Sequence, residues 1–119
     1  MAPRARHLSF DDVVRLAQRL PGVDVATSYG TPALKVNARL IARLWEDGTT
    51  LVLRVPFAVR DHLIATAPAA FFLTDHYRNH PWVLARLGAT SAEELQPRLT
   101  EAWRQAAPKK LIAQVDALG

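Results

Sequence analysis

Arg39-Leu40-Ile41-Ala42-Arg43-Leu44-Trp45-Glu46-Asp47-Gly48-Thr49-Thr50-Leu51-Val52-Leu53-Arg54-Val55 is the stretch that decides the fold. Two apolar-rich runs flank a polar segment, and Asp-Gly between such runs is the strongest short hairpin signal. Read as a two-residue turn, Asp47-Gly48 sets Leu44 opposite Leu51, Ala42 opposite Leu53 and Leu40 opposite Val55. Directly opposed residues share a sheet face. All six are apolar, so turn chemistry and hydrophobic pattern agree on one register, which a one-residue slip would destroy. Arg39, Ile41, Arg43, Trp45, Val52 and Arg54 then belong to the other face.

Outward from the hairpin, residues 23–36 read as extended chain broken by a turn at Tyr29-Gly30-Thr31-Pro32. Residues 57–65 read as a short helix ending near Pro68. Phe71-Phe72-Leu73 and residues 82–87 read as strands, joined by a polar loop from Thr74 to Pro81. At the N-terminal side, Ser9 caps a helix whose Asp11 and Asp12 suit the positive helix end, and Val13, Leu16, Ala17 and Leu20 recur at helical spacing. Pro21-Gly22 stops it. Ser91-Ala92-Glu93-Glu94 is a capping box, followed by the stripe Leu95, Leu99, Ala102, Trp103 and Ala106. After Pro108, Leu111, Ile112, Val115 and Leu118 form a last stripe. The expected fold class is α+β: a single antiparallel sheet with helices packed on one face.

The chain has 119 residues, the size of one domain over 1–119, with residues 1–8 expected to be a flexible basic tail. Leu, Ile, Val and Phe make up 33 residues, above the ~20% at which disorder sets in. No apolar run approaches the ~20 residues of a membrane span, and the N-terminus lacks the apolar region of a signal peptide. There is no cysteine, which excludes disulfides, thiolate metal sites and cysteine catalysis. A cytoplasmic location and a monomer, with no membrane partner, are expected. The net charge is +4, and twelve of the fifteen cations are Arg, a residue suited to bidentate phosphate contacts.

Where those cations fall suggests a function. Residues 33–45, 51–55 and 82–87 carry five cations and no acid. Arg39, Arg43, Arg54 and Trp45 share the face away from the helices. Lys35 joins them if the turn at Asn37 has an odd number of residues; a two-residue turn puts it on the core face. Trp82, Leu84 and Arg86 share a face that the sequence does not specify. Cations interleaved with aromatic rings can neutralise phosphates and stack on bases. The expected role is therefore a non-enzymatic DNA-binding protein contacting DNA weakly and salt-dependently through Lys35, Arg39, Arg43, Trp45, Arg54, Trp82 and Arg86. The plain alternative is that Arg stems cover apolar strand surface while their heads stay wet.

Asp75-His76-Tyr77-Arg78-Asn79-His80 concentrates functional groups in one loop. Two His four apart suit a metal only on a helix, and Pro81 disfavours one, so no metal or other cofactor is expected. Acid–base chemistry needs Asp75 within ~3 Å of His76 or His80. The alternative to DNA is a small-molecule or protein-binding site built from Tyr29, Asp75, His76, Tyr77 and His80, with Trp82 beside them, which predicts a concave pocket. Ser9 and Ser91 are helix caps, and no glycine-rich phosphate loop occurs.

Four segments together resemble one family. They are residues 28–36 (Ser-Tyr-Gly-Thr-Pro-Ala-Leu-Lys-Val), 43–48 (Arg-Leu-Trp-Glu-Asp-Gly), 74–84 (Thr-Asp-His-Tyr-Arg-Asn-His-Pro-Trp-Val-Leu) and 102–109 (Ala-Trp-Arg-Gln-Ala-Ala-Pro-Lys). The chain is similar to the MmcQ/YjbR-like family from about Phe10 to Leu111. The resemblance implies a frataxin-like (CyaY-like) fold, similar also to a double-wing DNA-binding domain, and it implies DNA binding. Frataxins hold iron on acidic patches; here the first helix has only Asp11 and Asp12, set against Arg15 and Arg19, which speaks against an iron role.

Overall fold

A computed structural model describes residues 8–118; most of the expected N-terminal tail lies outside the described residues. The order is α1 (Phe10–Ala17), β1 (Val23–Ser28), β2 (Thr31–Val36), β3 (Arg39–Leu44), β4 (Thr50–Arg54), α2 (Phe57–Thr66), β5 (Phe71–Phe72), β6 (Trp82–Arg86), α3 (Ala92–Ala106) and α4 (Lys109–Leu118). Single 3-10 turns occupy Asp75–Tyr77 and Leu87–Ala89. The strands form one antiparallel six-stranded sheet in the order β1-β2-β3-β4-β6-β5. This is the expected α+β architecture. The strand expected at 71–73 is shorter by Leu73, and the loop expected at 74–81 contains a helical turn.

Ser9 and Ser91 each close a capping box, with Asp12 and Glu94 as the returning carboxylates. The buried faces of α1 and α3 meet Leu34, Val36, Leu51, Leu53, Val55, Val83 and Ala85 from the sheet in the main core. Trp103 is fully buried there, and its indole Nε1–H donates to the Pro21 carbonyl at 2.8 Å. A polar indole group is thereby satisfied while the ring ties α3 to the end of α1.

The central hairpin has the expected register, with Ala42 opposite Leu53 and Leu44 opposite Leu51. Its turn is different. Gly48 N–H donates to the Trp45 carbonyl and Trp45 N–H donates to the Thr50 carbonyl, so residues 46–49 form a four-residue loop. Two added loop residues preserve the parity of a two-residue turn, which is why the faces came out right. Asp47 holds this loop, accepting from the amides of Thr49 and Thr50 at 3.0 and 2.9 Å and from both hydroxyls.

Parity fails at the other end of β3. Asn37 and Ala38 form a two-residue turn, both with positive φ (52° and 65°), the hairpin geometry that fits strand twist. Between the pairs Leu34–Ala42 and Lys35–Leu40 the register shifts, leaving Ile41 as the extra residue of a bulge. Ile41 therefore turns into the main core at 0% exposure, and Leu40 moves to the opposite face with Lys35. The expected assignments of Leu40 and Ile41 are thus exchanged. Lys35 lies on the open face despite an even turn, and Arg39 pairs with the core residue Val36 at the sheet's rim.

Candidate functional site

Four rows of cross-strand partners define the face away from the main core. Ala33, Arg43, Val52, Leu84 and Phe72 make one row. Thr50 with Arg86, Arg54 with Trp82, and Lys35 with Leu40 supply the others. Trp82, Leu84 and Arg86 therefore do lie on this face. It is only partly open, because Tyr77 packs on Val52 and Leu84 in a second apolar cluster that includes Trp45, Phe72, Leu73 and Trp82.

Between sheet and loop lies a hollow of about 220 Å³. Leu40, Val52 and Arg43 supply its floor, Trp82 one wall, the Tyr29 ring another, and His76, Tyr77 and His80 the loop side. A second hollow, of about 420 Å³, shares Tyr29, Arg43, His76 and Tyr77 and adds Trp45, Glu46 and Thr74. The aromatic residues arrive from separate elements. Tyr29 stands at the tip of the β1–β2 turn in a left-handed conformation (φ 54°) with its side chain 81% exposed. The 3-10 turn presents His76 edge-on to Tyr77 at 4.7 Å between ring centroids.

Arg43 is 5% exposed. Its Nη1 donates to Glu46 Oε1 at 2.9 Å, its Nη2 to Tyr77 Oη at 2.7 Å, and its guanidinium lies 5.1 Å from the Tyr29 ring centre. Burial acts to lower its pKa, but the bonds to Tyr77 and Glu46 outweigh it and the net shift is upward, so the charge persists. Glu46 is held below the ordinary carboxylate range by its own backbone amide first and then by Arg43. Tyr77 Oη accepts from Arg43, and its own O–H meets no acceptor among the described residues.

The loop is held from α2. Buried Arg60 donates from Nη1 to the carbonyls of Arg78 and His80 at 2.8 and 3.1 Å. No pattern in the sequence marks Arg60 for this task; a lone Arg in a short helix reads as surface. Glu46, Leu40 and Val52 were likewise missed as site residues.

The other expected residues are distributed as follows. Asp75 is exposed, accepts from Arg78 at 2.7 Å and does not line the hollow. Among the described residues no hydrogen bond joins it to His76 or His80, whose rings stand 6.4 Å apart, so the acid–base pairing is not assembled. Arg86 stacks on Phe72 at 4.1 Å and donates to the carbonyls of Pro68 and Ala69. Arg54 donates to the Leu40 carbonyl and lies 4.7 Å over Trp82. Trp45 packs edge-on against Phe72. Of the seven residues expected to contact DNA, Lys35, Arg43, Arg54, Trp82 and Arg86 lie on the face away from the main core, and Trp45 packs in the second apolar cluster there. Arg39 does not belong to that face, because its partner Val36 points into the main core, and Arg43 is withdrawn from solvent behind Tyr77 and Tyr29. Among the described residues no three His, Asp or Glu side chains gather as a metal site, and no helix is long and apolar enough to cross a membrane.

The YjbR family model matches residues 18–105, which contain the sheet, the loop and most of α3. The chain belongs to the YjbR family. Over 54 residues it is 41% identical to the uncharacterized proteins Mb2600 of Mycobacterium bovis and Rv2570 of Mycobacterium tuberculosis. The match takes in 45% of this chain and 42% of the length of those relatives. Among solved structures, Deinococcus radiodurans protein DR2400, described by the domain DUF419, is similar at TM-score 0.69 and 23% identity over 82% of this chain and 77% of that one. At that identity the likeness shows a shared fold alone.

Proposed function

We propose that this YjbR protein is a binding module, and that its site is the hollow on the open sheet face, which takes a planar aromatic molecule bearing a hydrogen-bond acceptor. One observation carries the reading: Tyr77, whose O–H has no acceptor among the described residues, lines an aromatic-walled hollow, with the buried Arg43 guanidinium bonded to its oxygen. An aligned cation strengthens the phenol as a donor, and a ring seated in the hollow displaces the water that competes for the bond. The ring of a ligand would lie on Val52 and Leu40 between Tyr29 and Trp82, with its acceptor on Tyr77 Oη. The separation of Asp75 from both His leaves the loop as a wall of the site and favours binding over acid–base catalysis.

Ligand-observed NMR with benzoate, nicotinamide and adenosine tests this. At least one probe is expected to bind, about tenfold more weakly to Tyr77→Phe and not at all to Leu40→Trp, which fills the floor. Failure of all three probes to bind the wild type at millimolar concentration refutes the reading.

Contact with DNA is the second reading, and one observation favours it. Lys35, Arg39 and Arg54 make no ion pair with a carboxylate among the described residues. It requires binding that falls steeply with salt and is lost in Arg54→Ala.

A further inference from the structure

Along one edge of the hollow lie cations that make no ion pair with a carboxylate among the described residues. Arg54 spends Nε on the Leu40 carbonyl, and its guanidinium plane covers Trp82; Leu40 and Trp82 line the hollow. Its Nη groups make no hydrogen bond to any described residue. Lys35 shares the face through its partner Leu40, two strands from Arg54 and therefore ~10 Å away between backbones, a gap two long side chains can close. Arg39 comes from the rim between them. Burial, and next the Arg39 charge, hold the Arg54 pKa below its ordinary value. Asp24 faces Lys35 across β1 and β2, with no ion pair between them among the described residues. Cations that outnumber the carboxylates beside them are a receptor for an anion, most strongly for one with several oxygens and two charges.

We propose that the ligand is an aromatic phosphomonoester: its ring enters the hollow, and its phosphate lies on Lys35 and Arg54 at the Trp82 edge, with Arg39 at the neighbouring rim. This rests on the hollow being a ligand site and adds the second half of the ligand. A carboxylate on the ring would be served by Tyr77 alone. Lys35 from β2 and Arg54 from β4 suit two of the terminal oxygens of a phosphate, and stacking on Trp82 fixes Arg54 in advance.

Calorimetric titration with adenosine 5′-monophosphate, adenosine and inorganic phosphate separates the two claims. The nucleotide is expected to bind at least about tenfold tighter than adenosine, with the difference shrinking in salt. Arg54→Gln is expected to remove that difference. Lys35→Gln, whose side chain has no hydrogen bond or ion pair among the described residues, reduces it, so the test survives an unstable Arg54 variant. Arg98→Gln on α3 is the control and leaves it intact. Equal affinity for nucleotide and nucleoside overturns the phosphate site while the hollow stands as a binding site. Adenosine and nucleotide both failing, while benzoate binds, overturns it too. A DNA duplex that binds at low salt and is lost in Arg54→Gln, with no nucleotide binding, overturns it in favour of a polymer.

Discussion

Tyr77→Phe removes the oxygen that accepts from Arg43 at 2.7 Å. A hydrogen bond to a charged group is worth about 1.5–3 kcal/mol, and stranding a buried donor costs at least as much. The hollow beside Tyr77 admits water, which restores part of this, so the expected loss is about 1–2 kcal/mol. For a domain of this size that lowers Tm by roughly 3–10 °C. Arg43→Met removes the charge as well. Glu46 is mostly exposed and re-solvates, and the desolvation cost of a buried guanidinium disappears. The pair Arg43→Met with Tyr77→Phe, apolar on both sides, is therefore expected to be no less stable than Arg43→Met alone. Urea denaturation of the four proteins should give a coupling of about 1–2 kcal/mol, well above the ~0.3–0.5 kcal/mol within which independent sites add. A double-variant loss equal to the sum of the two single losses would refute the claim that Tyr77 is held by, and polarised by, Arg43.

Three more tests follow from the same geometry. Ala38 sits at φ 65° in an exposed two-residue turn, so Ala38→Gly is expected to stabilise the protein by about 1 kcal/mol in urea melts. Burial opposes ionisation of Asp47, but the Thr50 hydroxyl and the Thr49 and Thr50 amides outweigh it and lower its pKa. Its contribution is thus complete above the unfolded carboxyl pKa of ~3.9 and fades as pH falls through the lower folded value. Asp47→Asn should flatten the acid limb of a Tm-against-pH curve, and an unchanged limb contradicts this. Arg60→Met frees the carbonyls of Arg78 and His80, so hydrogen exchange should accelerate across 75–81 while the core amides of β3 and β4 stay protected.

Local rules carried most of the fold. Serine caps, the apolar stripes of α1 and α3, and the Leu44–Leu51 register are each written within a few residues, and each was readable. The exchange of Leu40 and Ile41 was not, because a bulge is a relation between two strands: Lys35 pairs with Leu40 and Leu34 with Ala42 only once β2 and β3 have met. The site suffered most from this. Tyr29, Asp75, His76, Tyr77 and His80 stand out in the sequence as one candidate, since they crowd polar loops, and all but Asp75 line the hollow. Their floor depends on the bulge, and their anchorage on Arg60, whose carbonyl partners lie eighteen and twenty residues away. Arg43 was legible as a cation on the open face. Its burial depends on the loop folding over that face, which strand alternation does not encode.

The central claim is that this face carries a pocket for a small molecule more than a surface for a polymer. The most direct measurement is protein-observed NMR, following backbone amides and the Trp82 indole through parallel titrations with benzoate and a DNA duplex. The account predicts saturable benzoate shifts confined to Tyr29, Leu40, Val52, Tyr77 and the Trp82 indole. Those signals staying still under benzoate, while the duplex moves Arg39, Arg54 and Arg86, would contradict it.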